Sequence, residues 1–241
     1  QGLNSGIRYA ANVTWKIAGI LDGTLRADVL DSYQAERAPH ATATVRLSER
    51  LGRLVMTTSP RLARRRDELM SVSLATTEGR RYFEEMRYRP TQQYDAGLVC
   101  PAPDTGVPVG QPRAYDTVTR RIAPIDDILS DGWALVGVDI AGRTEWSHAQ
   151  AVADMVGATT ACVCIDGSLP RTDLRVLIDV DGGLEREFTR YRGRFVLLRP
   201  DHFIAAAWPP ARSADVAHSV ASWATPPSDA PTPVNTERLS S

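Results

Sequence analysis

Apolar side chains recur at helical spacing from the start of the chain. Ile7, Ala10, Ala11, Thr14, Ile17, Ala18 and Leu21 share one face, Asn4 or Ser5 is placed to cap the helix, and Asp22-Gly23 ends it. A second helix carries Leu25, Val29, Leu30 and Tyr33 and, beyond Pro39, Val45, Leu47 and Leu51; the proline predicts a kink or a break. Residues 54–113 are less regular. They hold a basic helix over 60–69, an aromatic segment over 81–88, and the stretch 100–110, whose prolines and glycines mark a connector. From residue 114 the pattern alternates. Strands are predicted over 133–138, 161–165 and 174–180, with a helix over 147–156 and a short helix over 184–191. Two more strands, 195–198 and 203–207, flank an Arg199-Pro200-Asp201-His202 turn, and a last helix covers 214–223. This order predicts an α/β domain with a mixed sheet over 114–223, after a helical region over 1–53 and the connector 54–113. The proline-rich, small-polar tail 224–241 is predicted to be disordered.

Composition changes this picture little. The 241 residues are 43% hydrophobic and 24% charged, with a net charge of −1, which suits a globular chain and excludes collagen-like and coiled-coil classes. Near-neutrality gives no reason to expect a nucleic acid or an anionic membrane as partner. The longest apolar runs are far shorter than the ~20 residues of a bilayer span, so a soluble protein is expected. Three cysteines make no disulfide framework, and a reducing, cytoplasmic setting is the expectation. Cys162 and Cys164, one residue apart on a strand, point to the same face and read as small apolar residues. The four histidines are scattered without partners at zinc-ligand spacing, so no metal site is expected. Of the 28 basic residues only Lys16 is a lysine, and the run Arg64-Arg65-Arg66 reads as a solvated helix face.

Four ordered segments carry a family resemblance. The opening Gln1-Gly2-Leu3-Asn4, with Asn12, Trp15, Lys16 and Ala18 behind it, resembles the G-Q-G-x-N-x-G-x-x-D-A-x-N-L-x-W-K-L-A segment of FAD-dependent aromatic-ring hydroxylases. Leu30, Tyr33, Glu36 and Arg37 match that family's L-x-x-Y-x-x-E-R helix, and Leu198-Arg199-Pro200-Asp201 matches the R-P-D motif of its C-terminal thioredoxin-like domain. The segment 81–90 with Gln93-Tyr94 resembles the 3-(3-hydroxyphenyl)propionate hydroxylase branch. No G-x-G-x-x-G turn for a dinucleotide pyrophosphate occurs. The chain therefore reads as the C-terminal part of a longer hydroxylase: the helical remainder of a p-hydroxybenzoate-hydroxylase-like FAD domain, then a thioredoxin-like domain.

The resemblance implies an FAD cofactor reduced by NADH or NADPH, a flavin hydroperoxide as the oxygen donor, and a small phenolic substrate. It places Gly2, Leu3 and Asn4 at the pyrimidine edge of the flavin, where a helix N-terminus favours the charge of the reduced ring. On spacing alone, Gly2 and Asn4 could equally be a turn and a cap. Catalytic residues are not assigned, and the chain alone is expected to be inactive. Tyr9 departs from the family's Asp. No Cys-x-x-Cys follows the strand at 133–138, so the thioredoxin-like region is expected to be structural or to form a homodimer rather than to do disulfide chemistry. Two alternatives stay open: a polyketide-type aromatic as substrate, and a non-catalytic remnant that mediates association.

Overall fold

The computed structural model describes residues 2–129, 131–140, 142–165 and 174–224. Four α-helices lead: α1 (Gly2–Leu21), α2 (Ser32–Val55), α3 (Pro60–Ala75) and α4 (Thr77–Glu84), with a 3-10 turn at Ala27–Asp31. Gly23, at φ 82°, takes the left-handed conformation that ends α1. Pro39 sits inside α2, which runs through it without a break, so the predicted division into two pieces does not occur.

A seven-stranded mixed sheet follows. Its strands are β1 (Arg113–Asp116), β2 (Arg121–Pro124), β3 (Ala134–Val138), β4 (Thr159–Cys164), β5 (Arg175–Asp179), β6 (Phe195–Leu198) and β7 (Ile204–Trp208), in the order β2-β1-β5-β4-β3-β6-β7. The central β3, β4 and β5 are parallel; β1 and β6 join them antiparallel, and β2 and β7 complete the edges as hairpin partners. The central strands are buried on both faces, which is why they read as near-continuous apolar runs. One face is covered by α6 (Arg143–Val156) and α8 (Ser213–Ala221), packing Trp146, Val152 and Val220 on Leu135, Phe195 and Leu197. The other carries α5 (Ile125–Leu129) and α7 (Gly183–Phe188), with Leu184, Phe188 and Tyr191 on Val136, Leu177 and Val196. The α/β class and mixed sheet read from the sequence hold. The β1–β2 hairpin and α5 were not anticipated. The tail beyond Ala224 lies outside the described residues.

Part of the presumed connector belongs to the sheet. Cys100 and Gly106 donate from their amides to the Ala205 and Ile204 carbonyls (2.7 and 2.8 Å), and Ile204 donates back to Val107 (3.0 Å). Gly106, at φ 71°, is required there, because a Cβ would stand 1.9 Å from the Tyr94 carbonyl oxygen.

The helical half docks on the α6/α8 face. Leu25 and Val29 enter the same apolar cluster, and the Trp15 ring meets Trp133 edge-on at 5.4 Å.

Candidate functional site

The sequence-predicted residues sit at the first turn of α1. Leu3 is 80% exposed and Asn4 is also exposed, while Gln1 lies outside the described residues. Asn4 and Ser5 lie inside the helix, so neither is its cap, contrary to the sequence reading: the helical conformation already starts at Gly2. The first N–H groups of a helix have no acceptor within it. Among the described residues of this first turn there is no carboxylate to offset its partial positive charge.

Behind this end, all four motif segments converge, the third of them through Tyr94. Glu36 on α2 is fully buried and takes five hydrogen bonds. Arg199 grips both its oxygens through Nη1 and Nη2 at 2.8 Å, Lys16 Nζ and Asn12 Nδ2 donate to Oε2 at 2.8 and 2.7 Å, and the Leu98 amide donates to Oε1 at 2.8 Å. Arg199 is held on its other edge by Asp201, at 2.9 Å from Nε and 2.8 Å from Nη2. The Arg199 guanidinium also lies 5.1 Å from the Trp15 ring centre and 4.9 Å from that of Tyr94. Arg37 donates to the Tyr94 hydroxyl at 3.0 Å and stacks on the Tyr9 ring at 4.4 Å. The turn between β6 and β7 is thus bolted to α1 and α2 by ions withdrawn from water.

Burial alone would push the Glu36 carboxyl up, but Arg199 and Lys16 outweigh it and hold its pKa down at about 2. Burial works against the charge of Arg199 too, yet Asp201 and Glu36 push its pKa up. For Lys16, burial prevails over the attraction of Glu36 and lowers the pKa. The Tyr94 hydroxyl is pushed up by burial and by Asp201. This arrangement holds α1, α2 and the β6–β7 turn in fixed relation to one another.

Beside Asn4 and Ser5 opens a cleft of about 610 Å³ between α1, α2 and residues 85–92. Arg8, His40 and Arg89 contribute its basic groups, Leu47, Met86 and Val107 its apolar walls.

The other candidates fall outside this site. Cys162 and Cys164 are buried against α6 on one face of β4, their sulfurs 3.9 Å apart. In the loop after β3, where a thioredoxin keeps its reactive pair, Trp146 instead donates to the Ile140 carbonyl at 3.0 Å. Among the described residues no group of His, Cys, Asp and Glu is placed to hold a metal, and no helix is long and apolar enough to cross a membrane. Sequence reasoning matched Asn12, Lys16, Glu36 and Arg199 to motifs but did not bring them together. The face of α1 that the spacing marked as apolar points outward, with Ile7, Ile17 and Leu21 exposed, whereas Asn12 and Lys16, one turn apart on the opposite face, are the buried ones; the signal in the sequence was only that Lys16 is its single lysine.

Known proteins are similar to this chain in sequence and fold. A family model described as an FAD binding domain matches residues 1–48, and one described as the HcaD C-terminal domain matches residues 106–223. The flavin-dependent monooxygenase PieE, solved in complex with FAD and substrate, superposes with a TM-score of 0.61 at 17% identity, over 91% of this chain and 44% of that one. The OxyS anhydrotetracycline hydroxylase of Streptomyces rimosus gives 0.61 at 22% identity, over 94% and 42%. The chain belongs to the FAD-dependent aromatic-ring hydroxylases. Within them it is 34% identical over 223 residues to a 3-(3-hydroxy-phenyl)propionate/3-hydroxycinnamic acid hydroxylase of Mycolicibacterium gilvum, covering 86% of this chain and 38% of that protein. A protein of the same description from Burkholderia cenocepacia is 28% identical, over 86% and 40%. The chain thus spans about two-fifths of the length of these relatives.

Proposed function

We propose that this chain supplies the flavin-edge helix and the C-terminal domain of a monooxygenase that hydroxylates a small phenolic acid of the 3-(3-hydroxyphenyl)propionate kind, with NADH or NADPH as reductant. The observation that carries the reading is the pinning of α1 to the Arg199–Asp201 turn through Lys16 and Glu36. Bound FAD supplies the reduction of dioxygen and the transfer of one oxygen atom. The residues present fit such a ring edge. Gly2 has no side chain to keep a ring at a distance, Leu3 and Asn4 are exposed, and no carboxylate in the first turn competes for the N–H groups. Gly2, Leu3 and Asn4 offer backbone donors to an electron-rich edge, and the network behind them fixes the direction of the helix. The identity to hydroxyphenylpropionate hydroxylases exceeds that to the polyketide-type neighbours, which favours the phenolic acid.

The test is turnover by the holoenzyme that contains this chain. Nicotinamide oxidation should rise on addition of 3-(3-hydroxyphenyl)propionate, with a product one oxygen atom heavier. Asn4→Pro removes one helix-end N–H at a position where proline is tolerated, and should lower the flavin midpoint potential. Oxidation without an oxygenated product refutes the substrate; an unchanged potential refutes the flavin-edge assignment.

A further inference from the structure

Arg37 is a buried cation without a counter-ion. It is 4% exposed, and two of its nitrogens, Nε and Nη2, are shut off from solvent and find no partner among the described residues. Nη1 donates to the Tyr94 hydroxyl at 3.0 Å, and the half-buried Tyr9 ring lies over the guanidinium carbon at 4.4 Å. Both contacts are with neutral groups, which attract a cation less than a carboxylate does. The carboxylates nearest in the chain and in the adjoining cleft are engaged elsewhere. Glu36 is taken by Arg199, Lys16, Asn12 and the Leu98 amide, and Glu85 by Arg87 at 2.7 Å. Arginine does not escape by releasing its proton, as a buried lysine does. One turn along α2, His40 registers the resulting field: its pKa is lowered by burial and then by Arg37 and Arg8.

This charge stands behind the N-terminus of α1. Tyr9, on which it stacks, is seven residues from Gly2, about 10 Å along the helix axis. That is about one Debye length at physiological salt, and the material between is helix rather than water, so screening is weak. The helix end itself carries a partial positive charge, with no carboxylate among the described residues of its first turn. We propose that Arg37 is an electrostatic determinant of the flavin potential: its uncompensated charge adds to the helix end at Gly2–Asn4 in favouring the electron-rich, reduced ring. Because the Nε–Nη2 edge is closed, no buffer anion neutralises the charge in place. Arg37 touches neither the flavin nor the substrate, and it acts through space along α1. The inference rests on the flavin-edge reading above and adds to it a residue that sets the potential there.

The test compares two variants that leave Arg37 in place, since loss of a buried arginine endangers folding. Tyr9→Asp sets a carboxylate where the ring now stacks, and Tyr9→Asn sets the same shape there without the charge. In the chain without flavin, the Asp variant should melt about 3 °C above the Asn variant. Its His40 pKa, followed by NMR, should also be the higher of the two, because a neighbouring cation is neutralised. In the flavin-loaded holoenzyme, the midpoint potential of the Asp variant should fall below that of the parent, while the Asn variant keeps the parent's value. Equal Tm and equal His40 pKa in the two variants would mean that Arg37 is already compensated. A stabilised Asp variant with the potential of the Asn variant would mean that the charge does not reach the flavin. Either result overturns the proposal. The flavin-edge reading is judged separately by Asn4→Pro, which should move the potential whatever the Tyr9 variants do.

Discussion

The two halves of the molecule bury opposite kinds of side chain. In the sheet half the core is overwhelmingly apolar, with Leu135, Val136, Phe195, Leu197 and Ile204 completely shielded and Asp116, Arg199 and Ser213 among the few buried polar residues. In the four-helix half, Leu25 and Val29 are the buried apolar residues, whereas Ser5, Asn12, Lys16, Glu36 and Arg37 are buried polar ones. Its large apolar side chains face outward instead: Leu3, Leu21, Val55, Met56 and Leu69 are each two-thirds exposed or more, and α3 and α4 bury nothing. The sheet half is therefore held by area removed from water, at roughly 25 cal/mol per Å². The helical half is fastened to it by a small apolar contact and a paired ionic cluster. Such a cluster discriminates geometry more sharply than oily packing does, because removing one partner leaves the others charged and dry.

The largest effect is expected from cutting within the sheet half. A fragment 93–224 keeps the strand-like segment along β7 and should melt cooperatively; a fragment 114–224 loses the hydrogen bonds to Ile204 and Ala205 and should aggregate or melt broadly. Cooperative melting of both in calorimetry would show that this segment is dispensable. Next comes Glu36→Ala, which strands Lys16 and Arg199 and should cost about 3–5 kcal/mol. Hydrogen exchange should then quicken in α1 and α2 while β3 and β4 stay protected. By contrast Glu49→Ala, which removes an exposed partner of Arg53 at 3.6 Å, should cost no more than about 0.5 kcal/mol. Comparable losses would mean that the buried cluster holds nothing together. For Glu36 itself the smaller of its two effects is in pH. The Glu36 pKa falls from 4.5 unfolded to about 2 folded, so its contribution is complete above pH 4.5 and is lost as the pH drops toward 2. That loss is roughly 3 kcal/mol. Urea midpoints of the parent should fall across this window more steeply than those of Glu36→Gln, and parallel curves would remove Glu36 from the account.

The sheet was legible where strands are long, apolar and central, as in β3, β4 and β6. The β1–β2 hairpin escaped because Arg113–Asp116 and Arg121–Pro124 are short, half-exposed edge strands with charged ends and a proline. The segment along β7 escaped for another reason. Its pairing runs through backbone groups that any side chain permits, and its prolines and glycines speak only for extended or turning chain. At the site, the helix was readable from spacing and motif, but its start was placed at Asn4 or Ser5 and lies at Gly2. The convergence was not: Asn12, Glu36 and Arg199 are far apart along the chain, and periodicity carries no information at such separations. Tyr9 was visible as a departure from the family's Asp, but its contact with Arg37 became apparent only in three dimensions.

The pinning of α1 has a mechanical side. Its 20 residues make a strut about 30 Å long, clamped at Asn12 and Lys16. A strut clamped near its middle turns a small rotation at the clamp into a larger sweep of its tip. A tilt of about 5° at Lys16 moves the Gly2 end, some 21 Å away, by roughly 2 Å, as wide as the span between a good hydrogen bond and none. A small shift of the Arg199–Asp201 turn is therefore magnified at the Gly2 end of the helix.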